Sequence, residues 1–449
     1  MLVLAWICLH ALMVTDAPRA RDPRPNIVFI LADDLGYGDL SCYGAPKNIT
    51  PNLDRLARRG MRFTDFYAAQ AVCSASRAAY LTGRLSNRVG VRGALGPKNK
   101  KGLETRNTLP ILLKNAGYAT AIYGKWHLGH LSPYLPTERG FDDYYGLPYS
   151  NDMGPLHPVK DAFPDLPLME GTKVIAMNPD QSLLTKTYTE RAVQFIEKNA
   201  DRPFFLYVPQ TMCHVPLFVS KERAGTTGRG LFEDVIHEID WSVGQILDAL
   251  DRHALSDNTI VIFASDNGPW LSYGNHAGST GGLREGKGTT FEGGVRVPFI
   301  ARWPGHIPAG TTSHVPVMSI SLLPTLCDWL DLPKPPDLDG RSARAVLEGK
   351  SEDPPSEVLY FYWNDGLEAV RAGKWKLHLP HSYTSVITPG SDGKPGKLTE
   401  KTTPIALFDL ESDRGETTNV ADQNPDVVTR LKAIAEVHAN MVRSADRER

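Results

Sequence analysis

Near-continuous apolar runs, separated by stretches with helical periodicity, constrain the fold of this chain more than any other feature. The runs cover residues 26–32, 118–123, 204–208, 259–264 and 298–301. Runs rich in Val, Ile and Phe without polar alternation are typical of strands covered on both faces, as in a mainly parallel sheet. The longest helical pattern covers residues 231–255, with apolar residues at every fourth position. This alternation predicts an α/β fold with a large, mainly parallel sheet sandwiched by helices.

A smaller C-terminal unit is predicted after the proline-rich passage at residues 332–338. Short strand patterns joined by tight turns indicate a small antiparallel sheet; they lie at residues 358–362, 367–371, 374–378 and 405–410. Residues 427–442 have the pattern of a closing helix, and the polar segment 381–403 is typical of a mobile loop. We therefore predict a main α/β domain at residues 21–345, which would carry the site, and a C-terminal α+β subdomain at residues 346–449.

The N-terminus and the overall charge limit where the protein acts and what it binds. Residues 1–14 are apolar and are followed by small residues up to Ala20, which indicates a secretory signal peptide at residues 1–20 and a secreted or periplasmic protein. No later stretch is long and apolar enough to predict a membrane span. The formal net charge of −2 gives no argument for a nucleic acid partner. The five cysteines have no metal–thiolate spacing.

Polar side chains follow the predicted strands and would meet at the carboxyl edge of the sheet, where ligands of open α/β folds bind. These residues are Asp33, Asp34, Lys125, His127, His214, Asp266 and Asn267, with Lys287 before the last strand. Three carboxylates and an amide are oxygen donors, which suit Ca²⁺ or Mg²⁺ better than Zn²⁺. Taken singly, each acidic motif is better interpreted as a helix cap or an ordinary turn. Two such motifs after separate strands of one sheet indicate a metal site.

The motif Cys73-Ser74-Ala75-Ser76-Arg77 opens a predicted helix. Arg77 lies one helical turn after Cys73, so its guanidinium can lie near that side chain. Taken alone, the motif is equally consistent with a buried, inert cysteine.

Together, these segments resemble the type I sulfatases of the alkaline-phosphatase-like superfamily over nearly the whole mature chain. The motif at residues 73–77 is similar to the maturation signature in which a cysteine is oxidised to formylglycine (3-oxoalanine). Segments 147–152 and 282–296 are similar to the branch of arylsulfatase A and N-acetylgalactosamine-6-sulfatase.

The resemblance implies a complete catalytic site. Its formylglycine would be hydrated to a geminal diol that attacks sulfur, with Asp266 taking the proton, and a second hydroxyl would later expel sulfate. Arg77, Lys125 and Lys287 would neutralise the sulfuryl oxygens. His214, with Lys287, would protonate the departing alcohol, His127 would deprotonate the second hydroxyl, and Ser150 would contact the sulfate. One Ca²⁺ would be held by Asp33, Asp34, Asp266, Asn267 and the modified Cys73.

The resemblance also implies a substrate class. The enzyme would act from the chain end and remove sulfate from the 6-position of galactose or N-acetylgalactosamine. Selectivity would lie in segments 91–101, 151–171 and 381–403. Two alternatives stay open, a phosphomonoester or phosphonate hydrolase of the same superfamily and a sulfated-glycan binding protein with unmodified Cys73. Ala75 stands where the oxygen-dependent formylglycine-generating enzyme favours proline, so either that enzyme or an anaerobic sulfatase-maturating enzyme would act on Cys73.

Overall fold

The computed structural model describes residues 22–46 and 49–447, so the predicted signal peptide lies outside the described residues. Its main feature is a ten-stranded sheet. In spatial order the strands are β11 (Thr311–Ser313), β2 (Met61–Phe63), β10 (Phe299–Arg302), β9 (Thr259–Ser265), β1 (Asn26–Ala32), β8 (Phe204–Pro209), β4 (Ala119–Tyr123), β5 (Asp143–Gly146), β6 (Pro167–Glu170) and β7 (Lys173–Met177).

The centre of this sheet is parallel, which confirms the predicted fold class. Strands β9, β1, β8, β4 and β5 are neighbours that all run in the same direction. The fifth apolar run differs, because β10 pairs antiparallel with β9. The chain leaves β9 at the carboxyl edge, stays at that edge through residues 266–298 and enters β10 from there. Strand β10 must therefore run in the opposite direction.

Helices cover both faces of the sheet, as predicted. They are α1 (Pro51–Arg58), α2 (Cys73–Thr82), α3 (Leu109–Asn115), α4 (Leu184–Lys198), α5 (Leu231–Arg252), α6 (Glu292–Val295), α7 (Leu322–Trp329), α8 (Arg344–Leu347) and α9 (Pro425–Arg447). Alternate residues of β1 enter two different cores. Phe29 packs in the core with residues of α2, α3 and α7, whereas Ile30 packs with residues of α1, α4 and α5. No helix in the described ranges is long and apolar enough to cross a membrane.

The C-terminal region contains the predicted antiparallel sheet, formed by β13 (Val358–Trp363), β14 (Gly366–Ala372), β15 (Trp375–His378) and β18 (Ala406–Asp409). A two-stranded sheet pairs β3 (Phe66–Tyr67) with β12 (Val317–Met318). The predicted mobile loop at residues 381–403 is wrong, because strands β16 (His381–Thr388) and β17 (Lys397–Thr403) form an antiparallel hairpin there. Its Tyr383 is buried, with its ring centroid 4.8 Å from that of Phe291. This long-range contact anchors the hairpin on the main domain.

Buried charges also join the small sheet to the main domain. The Nζ atom of Lys376 on β15 lies 2.8 Å from a carboxylate oxygen of Glu292 on α6 and 3.2 Å from one of Glu416. Glu416 also accepts a hydrogen bond of 2.7 Å from the backbone N–H of Glu292. Since Glu292 lies five residues after Lys287, these contacts fix the segment that carries Lys287.

Candidate active site

The acidic residues after β1 and β9 meet because these strands are adjacent and in register, with Ala32 opposite Ser265. The backbone N–H of Asp34 donates to Oδ1 of Asp266 at 3.1 Å. The Asn267 side-chain amide donates to Oδ1 of Asp34 at 2.7 Å. The structure thus brings together Asp33, Asp34, Asp266 and Asn267, all of them buried.

Cys73 is the first residue of α2, after an extended Val72. Its Sγ atom lies 3.3 Å from Oδ1 of Asp33 and 3.4 Å from Nζ of Lys287. Burial, reinforced by the charge of Asp33, raises the pKa of this thiol well above its ordinary value. As an unmodified residue, Cys73 is therefore a protonated thiol and a weak nucleophile.

Three cations face the three carboxylates. On α2, Arg77 donates from Nε and Nη2 to the same oxygen of Asp266, at 3.0 and 2.8 Å. Lys125 donates to Asp33, and Lys287 donates to Oδ2 of Asp34 at 2.8 Å. Burial alone would raise the pKa of Asp33, but Lys125 and Arg77 outweigh it and hold the pKa well below its ordinary value.

His214 lies beside Ser150 at the edge of this cluster. Its Nε2 atom is 3.5 Å from the Ser150 hydroxyl and 3.6 Å from Oδ2 of Asp34. Its Nδ1 contacts the carbonyl oxygen of Val215, which assigns the ring proton to Nδ1 and directs the lone pair of Nε2 toward the site. Burial, followed by the charge of Lys287, lowers the pKa of His214.

His127 is buried, and neither of its ring nitrogens has a hydrogen-bond partner among the described residues. Burial and then Lys125 lower its pKa well below the ordinary value, so the imidazole is neutral. His127 has a φ of 61°, and its N–H donates to the carbonyl of Pro148.

The residues present fit a hard divalent cation. Asp33, Asp34, Cys73 and His214 each offer a ligand atom, and these atoms lie within 4.8 Å of one another. The Oδ1 atom of Asn267 is buried without a hydrogen-bond partner in the described structure. A free oxygen acceptor beside clustered carboxylates is the donor chemistry that Ca²⁺ and Mg²⁺ prefer. Because three cationic side chains already balance three carboxylates, a bound divalent ion would leave the site positively charged and suited to an anion.

A cavity of about 520 Å³ opens above this cluster. Its floor includes Cys73, His127, Ser150, His214 and Lys287, while Arg77 and Lys125 lie buried beside it. Each of the three segments expected to determine selectivity contributes to the lining. The lining residues outside the floor include Ala94, Asp152, Met153, Trp270, Glu285, Trp363, Ser382, Tyr383, Thr384 and Glu400.

Sequence reasoning did not find Asp152, Trp270 or Trp363. None of them belongs to a recognisable ligand spacing. The available signals concern Asp152, which closes segment 147–152 with its family resemblance and also lies in the predicted selectivity segment 151–171.

Comparisons with known proteins agree with this geometry. Residues 25–332 match the family described as Sulfatase, and residues 354–448 match the C-terminal region of aryl-sulfatase. Arylsulfatase A from Homo sapiens is 40% identical, over 93% of this chain and 88% of that protein. N-acetylgalactosamine-6-sulfatase from Canis lupus familiaris is 40% identical, over 83% of this chain and 75% of that protein.

A solved structure supports the same family assignment. The PsFucS1 sulfatase from Pseudoalteromonas sp. superposes with a TM-score of 0.81 at 27% identity, covering 94% of this chain and 91% of the other. The family match covers more than half of the chain, and the curated relatives match most of its length. This chain therefore belongs to the sulfatase family and is a sulfuric ester hydrolase.

Proposed function

We propose that this enzyme removes sulfate from a saccharide, using a formylglycine derived from Cys73 and one Ca²⁺. The observation that carries the proposal is the position of the Cys73 side chain, at the floor of the cavity between Asp33 and Lys287. The first residue of a ten-residue helix also lies where backbone N–H groups and the helix dipole favour negative charge. A reacting anion at this point would be stabilised from several sides.

Two groups absent from the described structure would supply part of the chemistry. Hydrated formylglycine would supply one hydroxyl that attacks sulfur and a second that permits release of sulfate. Ca²⁺, held by Asp33, Asp34, Asp266, Asn267 and residue 73, would supply electrostatic stabilisation of the sulfuryl oxygens. The Oδ1 atom of Asn267, which no described residue contacts by a hydrogen bond, supports this ligand set.

The chain's own residues would position the ester and move protons. Lys125 donates to Asp33, and Nζ of Lys287 lies 3.4 Å from Sγ of Cys73, so both lysines would neutralise the sulfuryl oxygens. Lys125 also donates to Ser150 at 3.1 Å, which orients that hydroxyl toward the same oxygens. Arg77 holds Asp266, the group that would take the proton of the attacking hydroxyl, by two hydrogen bonds to one carboxylate oxygen.

The two histidines would divide the proton transfers. With its ring edge toward Ser150, His214 is placed to donate a proton to the departing alcohol oxygen from the form that is protonated at both ring nitrogens. His127 is neutral, and its two ring nitrogens have no hydrogen-bond partner in the described part of the chain, so it can accept the proton of the second hydroxyl. The substrate would be a galactose or N-acetylgalactosamine 6-sulfate at the end of a saccharide chain. The enzyme would remove its sulfate by exo action outside the cytoplasm.

Paired substrates and a matched cysteine variant test the proposal. The wild-type protein should release sulfate from N-acetylgalactosamine 6-sulfate faster than phosphate from the corresponding 6-phosphate. Cys73→Ala should retain the fold and lose essentially all turnover. Cys42→Ala, which removes a free cysteine distant from the cavity, should retain turnover.

Two results would contradict the proposed chemistry, and a third would contradict the proposed sugar. Faster hydrolysis of the phosphate ester would favour the phosphomonoesterase alternative. Tight binding of sulfated glycans without sulfate release, in protein that keeps a thiol at Cys73, would favour a binding protein. Activity confined to glucosamine sulfates would refute the proposed sugar.

A further inference from the structure

Asp152 is a buried carboxylate on the cavity wall with no assigned role. Its relative exposure is 7%, and its Oδ1 atom has no hydrogen-bond partner among the described residues. It lies two residues after Ser150 and lines the same cavity as His214 and Lys287. A buried acceptor of this kind destabilises the protein unless a donor reaches it. The missing donor therefore comes from whatever fills the cavity.

The surroundings of Asp152 do not supply a cation. Among the described residues that line the cavity, Lys287 is the one Lys or Arg, and it donates to Asp34. Burial lowers the pKa of His214, and the charge of Asp152 opposes that lowering. Burial raises the pKa of Tyr273, and the charge of Asp152 adds to that rise. A neutral O–H or N–H donor on the ligand fits this environment better than a second charged group.

Two further carboxylates line the cavity. Glu285 lies on the wall, and its Oε1 accepts a hydrogen bond of 2.9 Å from Ser385 on β16. Glu400 on β17 is exposed and lines the same cavity. Trp270 and Trp363 add aromatic surface to the cavity lining. Carboxylate acceptors combined with aromatic faces suit the hydroxyls and the apolar face of a sugar ring, and they disfavour a second anion.

We propose that Asp152 is a specificity-determining residue, which accepts a hydrogen bond from a hydroxyl of the sugar next to the sulfate ester. The acidic wall formed by Asp152, Glu285 and Glu400 restricts the substrate to a sugar whose single anionic group within the cavity is the sulfate to be cleaved. The inference rests on the proposed saccharide sulfatase function and deepens it. The substrate class is a monosulfate of a hexose or N-acetylhexosamine that has no other charged group. It excludes a disulfated sugar and a sugar attached to a uronate.

The first experiment compares two esters in Asp152→Asn. One ester is N-acetylgalactosamine 6-sulfate, and the other is 4-nitrophenyl sulfate, which has no sugar hydroxyls. The ratio of their kcat/KM values, sugar over aryl, should fall about tenfold or more, mainly through KM, because a hydrogen bond to a charged acceptor is lost. Asp165→Asn changes an exposed acid of the same segment outside the cavity lining and should leave the ratio as in the wild type.

The second experiment tests the exclusion of a second anion. The wild-type enzyme should hydrolyse galactose 6-sulfate with a higher kcat/KM than galactose 2,6-disulfate. Glu400→Gln should raise the disulfate-to-monosulfate ratio about threefold or more, since it removes one negative charge near the entering group.

The possible failures are distinguishable. A sugar-to-aryl ratio in Asp152→Asn within about twofold of the wild type would overturn the inference and leave the proposed sulfatase chemistry intact. Equal kcat/KM values of the wild-type enzyme for galactose 6-sulfate and galactose 2,6-disulfate would also overturn the inference alone. Absence of sulfate release from every ester, in protein whose Cys73 is converted, would refute the proposed function and the inference together.

Discussion

Replacing Lys376 with Met tests how the C-terminal sheet supports the site. Lys376, Glu292 and Glu416 are each fully buried, and the lysine contacts both glutamates. Met has a similar volume, so the substitution removes the charge without leaving a large cavity. The two carboxylates would then remain in the interior without their shared cation.

The size of the effect follows from the remaining contacts. Breaking a buried ion pair by removing one partner costs about 3–5 kcal/mol. Glu292 would keep its hydrogen bond of 2.8 Å from Tyr67 and its ion pair of 3.2 Å with Arg296. Glu416 would keep its contact of 2.8 Å with His378. We therefore expect a loss at the lower end of that range, about 3 kcal/mol of the free energy of unfolding.

Urea denaturation followed by tryptophan fluorescence measures this loss. Lys374→Met is the matched control, because Lys374 lies two residues away and forms an exposed ion pair with Asp409. This control should leave the unfolding midpoint nearly unchanged, since exposed ion pairs contribute little. The double variant Lys376→Met/Glu416→Gln should recover part of the loss, because Glu416 would otherwise be a buried charge whose remaining partner, His378, is neutral.

The pH dependence gives an independent check. Burial raises the pKa of Glu292, but Lys376 and Arg296 outweigh it and hold the pKa at about 2. A lowered carboxyl pKa contributes stability above the ordinary value of 4.5, and this contribution is lost as the pH falls toward 2. Without Lys376 that contribution shrinks, so the difference from wild type should be largest at neutral pH and decrease in acid. A loss below about 1 kcal/mol at neutral pH would refute the reasoning.

Three further predictions follow from the site and its support. His214→Ala should reduce kcat for sugar sulfates by about 10²–10⁴-fold. The loss for 4-nitrophenyl sulfate should be much smaller, since nitrophenolate leaves without a proton. Equal losses for the two esters would contradict the proton-donor role. A chelator should abolish turnover, and added Ca²⁺ should restore it. Asn267→Ala should weaken Ca²⁺ binding measured by calorimetry. Stoichiometric zinc in active protein would contradict the oxygen-ligand site. Burial raises the pKa of Glu368 to about 7, so its contribution to stability is lost as the pH rises from 4.5 through 7. Glu368→Gln should flatten the stability profile in that range, measured by thermal unfolding; an unchanged slope would contradict this.

The part of the site built on sheet edges was predictable from the sequence. Buried apolar runs identify parallel strands, and parallel strands deliver the residues after them to one edge. Asp33 and Asp266 therefore lie together in the structure, although they are more than two hundred residues apart in the chain. The direction of β10 was not predictable from its short apolar run, because it depends on the path of the preceding segment.

The walls of the cavity depended on long-range contacts that carry no local signal. The segment 381–403 is polar and contains Pro and Gly, so its composition resembles that of a loop. Its strand structure is anchored by Tyr383 against Phe291, a partner that the sequence cannot identify. The significance of Asp152 likewise lies in the absence of a partner for its buried oxygen, which is visible only in three dimensions.

Mass spectrometry of the peptide containing Cys73, combined with specific activity, tests the central claim most directly. Ala75→Pro, expressed in a host with the oxygen-dependent formylglycine-generating enzyme, should raise the fraction of aldehyde above that of the wild type. Across such preparations, specific activity should rise in proportion to the aldehyde fraction and reach zero when every molecule carries a thiol. Full activity in protein whose Cys73 is entirely thiol would contradict the formylglycine mechanism.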